Sequence, residues 1–365
     1  MISRRVQMLD SSGIRKVFDL GQKMKNPINL SIGQPDFDVP APVKEAAKRA
    51  IDEGRSKYTL TQGIPELREG LMARARQSGY SPEEVIVTAG VSDAILLSML
   101  ALCDPGDEVL VPDPYFVIYR QLPAIVGVTA RCFDTYPDFR LREENIAPLI
   151  TPRTRAIVIV SPSNPTGVAA TEDELAMIAA LARKHDLTVI FDEIYSCFAY
   201  DRPHASITRH YDRVVVLNGF SKSHGMPGWR LGYAMGPKAI IAEMIKLQQY
   251  MAVCAPSLVQ YAGLAALQTP MDATTAAYRR KRDIIYEGLK DRYEVVRPDG
   301  AFYIFPKAPG GTTGTQFFER AVERNVLVIP GGVFSDRDTH FRISFAAPDD
   351  TLRQGIEILN HLAQS

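Results

Sequence analysis

Lys222 is the first residue of the sequence whose surroundings indicate chemistry. It lies in the segment GFSKSHGMPGWRLGY, residues 219–233, which comes shortly after the apolar run VVVL, residues 214–217. A lysine directly after a buried strand lies at the rim of a sheet, where partial burial lowers the pKa of its amine and makes it nucleophilic toward carbonyl groups. The alternative for a lysine taken alone is a solvated loop residue. The case for chemistry therefore depends on its neighbours.

Polar residues near the ends of two other apolar runs strengthen that case. Asp192 closes the run LTVIFD, and Tyr195 follows in the same segment. A carboxylate buried there ionises reluctantly unless it meets a cation, and a protonated pyridine nitrogen is such a partner. The alternative is that Asp192 caps the helix that follows. Asn164 lies in the turn SPSNPTG, whose prolines and glycine direct its amide. Together these residues favour a site for a heterocyclic ring.

The segment TAGVSDAI, residues 88–95, offers a place for a phosphate group. It passes from a strand through small residues into a helix. Unpaired backbone N–H groups at such a helix start bind anions. Turns of this kind are common in α/β folds, so the segment counts only together with the residues above.

The elements that must position these residues alternate along the chain. Between about residues 40 and 269, β-branched apolar runs alternate with helical patterns such as TEDELAMIAALARKH, which Thr171 opens with an acidic first turn. The predicted strands are residues 85–90, 108–114, 155–165, 187–195, 213–222 and 231–236. This pattern predicts an α/β fold, a mostly parallel sheet sandwiched by helices. Ligands of such sheets bind at the carboxyl ends of the strands.

The C-terminal part has a different pattern. A charge-laced helix over residues 271–293 precedes short strands over 301–305, 325–331 and 340–346 and a last helix from Asp349, which predicts a smaller α+β lobe with antiparallel strands. Pro35 and Pro40 favour an extended N-terminal arm. We therefore expect an arm with part of the small domain (1–40), a large domain (41–270), and a connecting helix with the small domain (271–365).

Composition excludes several classes of protein. The 365 residues include 42 basic and 42 acidic side chains, and a net charge of zero argues against nucleic acid as a partner. The longest apolar stretch, residues 94–103, is far shorter than the roughly 20 residues that cross a membrane, and the N-terminus lacks the apolar core of a secretory signal. Four scattered cysteines and six histidines without ligand spacing predict free thiols, a cytoplasmic location and no metal.

Ten strings along nearly the whole chain resemble the fold-type I, class I/II aminotransferases, which use pyridoxal 5'-phosphate (PLP). They occur in family order: INLSIGQPDFDVP, KYTLTQGIPELREGL, VTAGVSDAI, VPDPYFVIY, SPSNPTG, FDEIY, GFSKSHGMPGWRLGY, GAFYIFP, VIPGGVF and FRISFA. The resemblance implies an amino acid:2-oxo acid aminotransferase that works by ping-pong transamination. It also implies 2-oxoglutarate or pyruvate as the acceptor and a homodimer as the working unit.

The resemblance assigns cofactor contacts position by position. Lys222 would carry PLP as a Schiff base and, once released, move a proton between substrate and cofactor. Asp192 would pair with the pyridine nitrogen, and Asn164 and Tyr195 would bond the phenolic oxygen. Phe116 would stack on the ring, although core packing is an alternative for it. The phosphate contacts would be Gly90, Val91, Ser92, Ser221, Arg230 and, from the neighbouring subunit, Tyr58.

For the substrate, the resemblance implies that Arg342 holds the α-carboxylate bidentately, a task suited to the planar guanidinium. Asn164 and the backbone of Gly33 would assist. Without the resemblance, an arginine in a strand would be taken as a surface charge.

The sequence also departs from the family pattern. Val91, Ser92 and Asp93 stand where Gly, Lys and Gln are common, and in some aspartate-using members that Lys contacts the distal carboxylate, so its absence argues against aspartate. His224 replaces a common aromatic residue and would be a packing residue or a substrate contact. The amino donor stays open, because pocket shape rather than cofactor contacts sets specificity.

Other functions share part of this pattern. A PLP-dependent C–S lyase would keep the same motifs, and it would release pyruvate and ammonia from cystathionine without any 2-oxo acid acceptor. A PLP-sensing module fused to a DNA-binding domain is disfavoured, because no helix-turn-helix precedes residue 30. A dinucleotide-dependent oxidoreductase is disfavoured because no GxGxxG opens a βα unit.

Overall fold

The structure, a computed structural model, describes residues 2–364. Its helices are α1 (Arg4–Gln7), α2 (Gly13–Lys23), α3 (Ala41–Asp52), α4 (Pro65–Gln77), α5 (Val91–Leu102), α6 (Val117–Val126), α7 (Glu143–Ile146), α8 (Glu172–Lys184), α9 (Phe220–Ser223), α10 (Lys238–Met251), α11 (Ser257–Leu267), α12 (Asp272–Leu289), α13 (Gly314–Glu323) and α14 (Asp349–Leu362). Its strands are β1 (Ile28–Asn29), β2 (Glu84–Thr88), β3 (Glu108–Asp113), β4 (Thr129–Asp134), β5 (Thr154–Val160), β6 (Thr188–Asp192), β7 (Val214–Gly219), β8 (Gly232–Gly236), β9 (Tyr303–Ile304), β10 (Val326–Leu327), β11 (Ile329–Pro330) and β12 (Phe341–Ser344). Within the described range, no helix has both the length and the apolar character that crossing a membrane requires.

A seven-stranded sheet in the order β2-β8-β7-β6-β5-β3-β4 forms the large part of the molecule. Strand β8 is antiparallel to both its neighbours, and the other adjacent pairs are parallel. Helices α3, α4, α8 and α11 pack on one face and α5, α6 and α10 on the other. Val189, Ile190 and Phe191 of β6 are therefore fully buried, as a strand covered on both faces requires. The predicted α/β fold is confirmed.

Helix α8 shows how local sequence sets an element boundary. The hydroxyl of Thr171 accepts a hydrogen bond from the backbone N–H of Glu174 at 3.1 Å, and the Glu174 carboxylate accepts one from the N–H of Thr171 at 2.7 Å. This capping box satisfies two N–H groups that have no partner within the helix. It confirms the helix start predicted at Thr171.

The C-terminal lobe contains the antiparallel sheet β11-β12-β9 and a separate parallel pair, β1 with β10. Helices α12 and α14 confirm the predicted connecting and final helices. The prediction of one strand over residues 325–331 is wrong, because the chain leaves the β1 partner after Leu327 and joins β12 from Ile329 onward. The domain division at residues 40 and 270 stays a prediction, and its end residues, Met1 and Ser365, lie outside the described range.

Two further predictions are corrected. The N-terminal arm is not extended throughout, because residues 13–23 form the amphipathic helix α2. Residues 30–40, near Pro35 and Pro40, do lack regular secondary structure. Strand β4 was missed by the sequence pattern. It lies at the edge of the sheet and is only partly buried, so its sequence TARCFD lacks the continuous apolar run that marks the inner strands.

Candidate active site

A cavity of about 420 Å³ lies where the carboxyl ends of β5, β6 and β7 meet the start of α5, helix α2 and strand β12. Most of the predicted site residues line it: Gly33, Val91, Ser92, Phe116, Asn164, Asp192, Tyr195, Ser221, Lys222, Arg230 and Arg342. Gly90 directly precedes α5 at the edge of this cavity. Tyr58 does not line it, and 82% of Tyr58 is exposed on the surface of the single chain.

Lys222 lies in the short helix α9, directly after β7. Its Nζ donates a hydrogen bond to the backbone carbonyl of Gly33 at 2.6 Å. Burial, then the charges of Arg342 and Arg230, lower the pKa of Lys222 from its ordinary 10.5 to about 8. A substantial fraction of this amine is therefore neutral near pH 8, and a neutral amine is the nucleophilic and basic form.

Asp192 ends strand β6 and lies at the bottom of the cavity. Its Oδ2 accepts a hydrogen bond from the hydroxyl of Tyr119 at 2.5 Å, and its Oδ1 accepts one from the backbone N–H of Ile194 at 2.9 Å. Burial raises the pKa of Asp192 to about 6, against the lowering effect of these two donors. The carboxylate is thus fixed in direction, and among residues 2–364 it forms no ion pair, although the more distant charge of Lys222 lowers its pKa. A protonated ring nitrogen meets that need.

Tyr119 was missed by sequence reasoning. It follows Phe116 by three residues at the start of α6, and residues three apart on a helix share a face. That spacing was the available signal, since the aromatic character of both residues also suits a core.

Arg342 in β12 is the buried cation of the cavity, with 1% of its surface exposed. Its guanidinium lies over the ring of Tyr303 at 4.5 Å and over that of Phe334 at 4.8 Å. Nη1 donates to Oδ1 of Asn164 at 3.0 Å and Nη2 to the carbonyl of Ser31 at 2.7 Å. The buried Nε has no hydrogen-bond partner within residues 2–364. An uncompensated buried guanidinium held this rigidly is suited to binding a carboxylate.

Tyr195 and Tyr303 form a second fixed polar pair beside Arg342. Their hydroxyls are 2.9 Å apart. A Cβ atom on Gly33 would lie 2.8 Å from the hydroxyl of Tyr303, so only glycine lets the chain pass this close. Tyr303 was not singled out in the sequence, although it lies within the quoted string GAFYIFP.

The N-terminus of α5 forms the anion-binding end of the cavity. Arg230 has a left-handed backbone (φ 58°) and directs Nη2 toward the carbonyl of Ala89 at 3.3 Å. A Cβ on Gly90 would lie 2.5 Å from that nitrogen, so the glycine makes room for the guanidinium beside the free N–H groups of the helix. A guanidinium at a helix N-terminus suits a phosphate dianion. This cradle, with Asp192 and Lys222 beside it, fits PLP.

His224 does not line the cavity. Its Nδ1 lies 2.8 Å from the hydroxyl of Ser223, and its ring packs against Phe220 with centroids 5.6 Å apart. The structure therefore favours the packing role over the substrate contact.

Comparison with known proteins identifies the family of the chain. The family described as "Aminotransferase class I and II" matches residues 25–359. A probable aspartate aminotransferase of Methanocaldococcus jannaschii is 37% identical, covering 99% of this chain and all of the relative. A probable N-acetyl-LL-diaminopimelate aminotransferase of Bacillus subtilis is 39% identical, covering 98% and 95%. The solved structure of Thermus thermophilus aspartate aminotransferase with maleate superposes with a TM-score of 0.93 at 37% identity, covering 99% of both chains.

The fold is that of the PLP-dependent aminotransferases, and the chain belongs to the aminotransferase class I and II family. It is an enzyme that uses PLP to transfer an amino group between an amino acid and a 2-oxo acid. This confirms the predicted reaction class and cofactor.

Proposed function

We propose that transamination takes place in this cavity with Lys222 as the residue that holds PLP covalently and moves the reacting proton. The observation that carries the proposal is the convergence of a pKa-lowered lysine, a buried aspartate and a buried arginine on one cavity. When bound, PLP supplies an electron sink for the carbanion that forms at the substrate Cα.

Lys222 acts as general base and acid at the substrate Cα. Its lowered pKa makes the neutral amine available near neutral pH, and the Gly33 carbonyl 2.6 Å away restrains the position of Nζ. Proton transfer is efficient when the pKa of the base is close to the working pH.

Asp192 keeps a proton at the ring nitrogen, because a cation there satisfies its buried carboxylate. Tyr119 and the N–H of Ile194 orient the two oxygens of that carboxylate. With PLP bound, Asn164 and Tyr195 would bond its phenolic oxygen and Phe116 would stack on its ring. Its phosphate would be held at the start of α5 by Gly90, Val91, Ser92, Ser221 and Arg230.

Arg342 holds the α-carboxylate of the amino acid and of the 2-oxo acid in turn. The rings of Tyr303 and Phe334 and the two oxygen atoms that accept its hydrogen bonds hold the guanidinium in place. Its Nε still lacks a hydrogen-bond partner within residues 2–364. Gly33 and Asn164 complete this carboxylate site. The acceptor is 2-oxoglutarate or pyruvate, each of which offers this carboxylate beside the reacting carbonyl.

A second copy of the chain completes the site with Tyr58. Tyr58 and Leu60 are exposed, as are Tyr250, Met251 and Val253, and the side chain of Gln248 bonds the carbonyl of Thr61 and thereby joins the two segments. Contiguous exposed apolar side chains of this kind are typical of a protein interface.

The four cysteines are free thiols, which supports a cytoplasmic location.

Active-site complementation tests the role of Tyr58. Lys222→Ala and Tyr58→Ala chains are each purified, mixed under conditions that exchange subunits, and assayed. If Tyr58 acts across the interface, the mixed dimer has one intact site and activity returns. No return of activity, with mixed dimers present by mass spectrometry, overturns the assignment.

A half-reaction assay tests the function itself. The PLP-loaded enzyme is given a panel of amino acids without an acceptor, and the 2-oxo acid formed is quantified. We expect one equivalent per site, a shift of the visible absorption band, and its reversal by 2-oxoglutarate or pyruvate. Repeated turnover of cystathionine to pyruvate and ammonia without an acceptor would instead show the C–S lyase.

A further inference from the structure

Arg15 is a charged residue of the cavity to which the proposed function assigns no task. The charged side chains that line the cavity are Arg15, Asp192, Lys222, Arg230 and Arg342. The last four hold the cofactor and the α-carboxylate in the proposed function, on which this inference rests. Arg15 comes from α2, a helix that carries none of those four residues.

The guanidinium of Arg15 is only loosely held. Its side chain is 70% exposed, its Nε lies 3.2 Å from Oδ1 of Asp19, and its Cζ lies 5.0 Å from the ring centre of Phe18. All three residues belong to the same helix, so these contacts leave the guanidinium free to turn. Its terminal nitrogens make no hydrogen bond within residues 2–364. A carboxylate in the cavity can therefore accept from them without breaking a buried contact.

The cavity wall that α2 contributes is apolar apart from Arg15. Ile14 and Phe18 from α2 line the cavity together with Ile32 and Val117, and Ser12 and Gln34 add uncharged polar groups. An apolar substrate side chain finds suitable contacts among the apolar residues. Arg15 is the charged residue that α2 contributes to the lining, and it is positive.

We propose that Arg15 binds the second carboxylate of dicarboxylic substrates and so makes this enzyme prefer 2-oxoglutarate to pyruvate as acceptor. With Arg342 on the α-carboxylate, a five-carbon diacid extends toward the cavity mouth, whereas the methyl group of pyruvate stays near the reacting carbon. Asp19 competes with the substrate for Arg15. When a monocarboxylic substrate is bound, Arg15 keeps its partner Asp19 and the apolar wall receives the side chain.

A matched pair of acceptors tests this without changing substrate length. 2-Oxopentanoate has a methyl group where 2-oxoglutarate has its distal carboxylate, and both are compared in single-turnover reactions of the aminated holoenzyme. In Arg15→Ala, we expect the ratio of kcat/KM for 2-oxoglutarate to that for 2-oxopentanoate to fall about fivefold, the upper end of the range for one exposed ion pair. Lys16→Ala, which removes the adjacent exposed charge outside the cavity, is the control and should keep the ratio.

Binding without chemistry gives a second readout. Succinate and butyrate differ by one carboxylate and cannot react, so calorimetry on the PLP-loaded enzyme reports the contact directly. Arg15→Ala should weaken succinate about fivefold relative to butyrate, and Arg15→Lys should restore part of the difference. Asp19→Asn should strengthen succinate about twofold, because an exposed ion pair competes only weakly.

The outcomes separate this inference from the function on which it rests. Equal losses for both acceptors in Arg15→Ala, or no loss, overturn the Arg15 assignment while leaving transamination intact. A wild-type enzyme that converts neither acceptor overturns the proposed function. Added salt provides a further check, since the wild-type preference should fall with ionic strength and that of Arg15→Ala should not.

Discussion

Two arginines that line the cavity, Arg342 and Arg15, are held in different ways. Arg342 is buried, lies between the rings of Tyr303 and Phe334, and is bonded to two acceptors. Arg15 is mostly exposed and touches only neighbours on its own helix. Arg342 therefore loses little side-chain entropy when it binds a ligand, whereas the side chain of Arg15 must become ordered around each ligand.

This difference matches the demands of a reaction with two successive substrates. Both substrates carry the same α-carboxylate, so a rigid fork at Arg342 serves both. Their side chains differ, and one cavity must accept them in turn. An adaptable cation beside an apolar wall meets that requirement, and a second buried arginine would not, because leaving it unpaired is costly.

The largest expected effect is that of Lys222→Ala. Removal of the amine takes away both the covalent hold on PLP and the general base, so kcat should fall about 10⁴-fold. Half-reaction rates with and without added methylamine measure this. Partial rescue by methylamine is expected, because a small amine can replace the lost base; rates within tenfold of wild type would contradict the role of Lys222.

Asp192→Asn should cost roughly 10²–10³-fold in kcat, the range seen when a preorganised charge in an active site is removed. The amide keeps the shape but cannot stabilise a proton at the ring nitrogen. Pre-steady-state rates and the cofactor absorption spectrum measure the change. A near-normal rate would mean that the buried carboxylate serves the fold alone.

Arg342→Lys tests the difference between Arg342 and Arg15. A lysine supplies the charge without the fork or the stacking, so KM should rise about 30-fold for 2-oxoglutarate and 2-oxopentanoate alike. Arg15→Ala changes the ratio of the two acceptors instead. If Arg342→Lys altered the ratio of kcat/KM for the two acceptors, Arg342 and Arg15 would not have the separate tasks proposed for them.

The smallest effect is expected from Tyr119→Phe and is best seen in pH dependence. In the cofactor-free protein, burial raises the pKa of Asp192 to about 6 and the Tyr119 hydroxyl opposes that rise. Losing the hydroxyl raises this pKa further, so the PLP uptake that requires ionised Asp192 should begin at higher pH and be about twofold slower at pH 7. Stopped-flow uptake across pH 5–8 measures it, with Asp192→Asn as a control that lacks this transition; an unshifted Tyr119→Phe profile would contradict the coupling.

The sequence predicted the buried end of the site better than its mouth. Asp192 and Lys222 follow strands whose continuous apolar runs are visible in the sequence, and a buried polar residue beside such a run stands out. Arg15 lies on an amphipathic helix, where an exposed arginine is ordinary. Tyr119 was hidden for the opposite reason, since an aromatic residue on a buried helix looks like core.

The fold shows the same limit. Inner strands such as β6 were predicted because both faces are buried, whereas the half-exposed edge strand β4 and the helix α2 were missed. Pro35 and Pro40 suggested an extended arm, yet their effect stops at the residues near them. The position of α2 over the cavity depends on tertiary packing, which no local pattern records.

Borohydride reduction of the PLP-loaded enzyme tests whether Lys222 is the residue that carries the cofactor. The reagent reduces the bond between PLP and its lysine to a stable product, and peptide mass spectrometry then locates the added mass. We expect modification of Lys222 in the wild type and no trapped cofactor in Lys222→Ala. Cofactor trapped on another lysine of the wild type, with Lys222 unmodified, would contradict it.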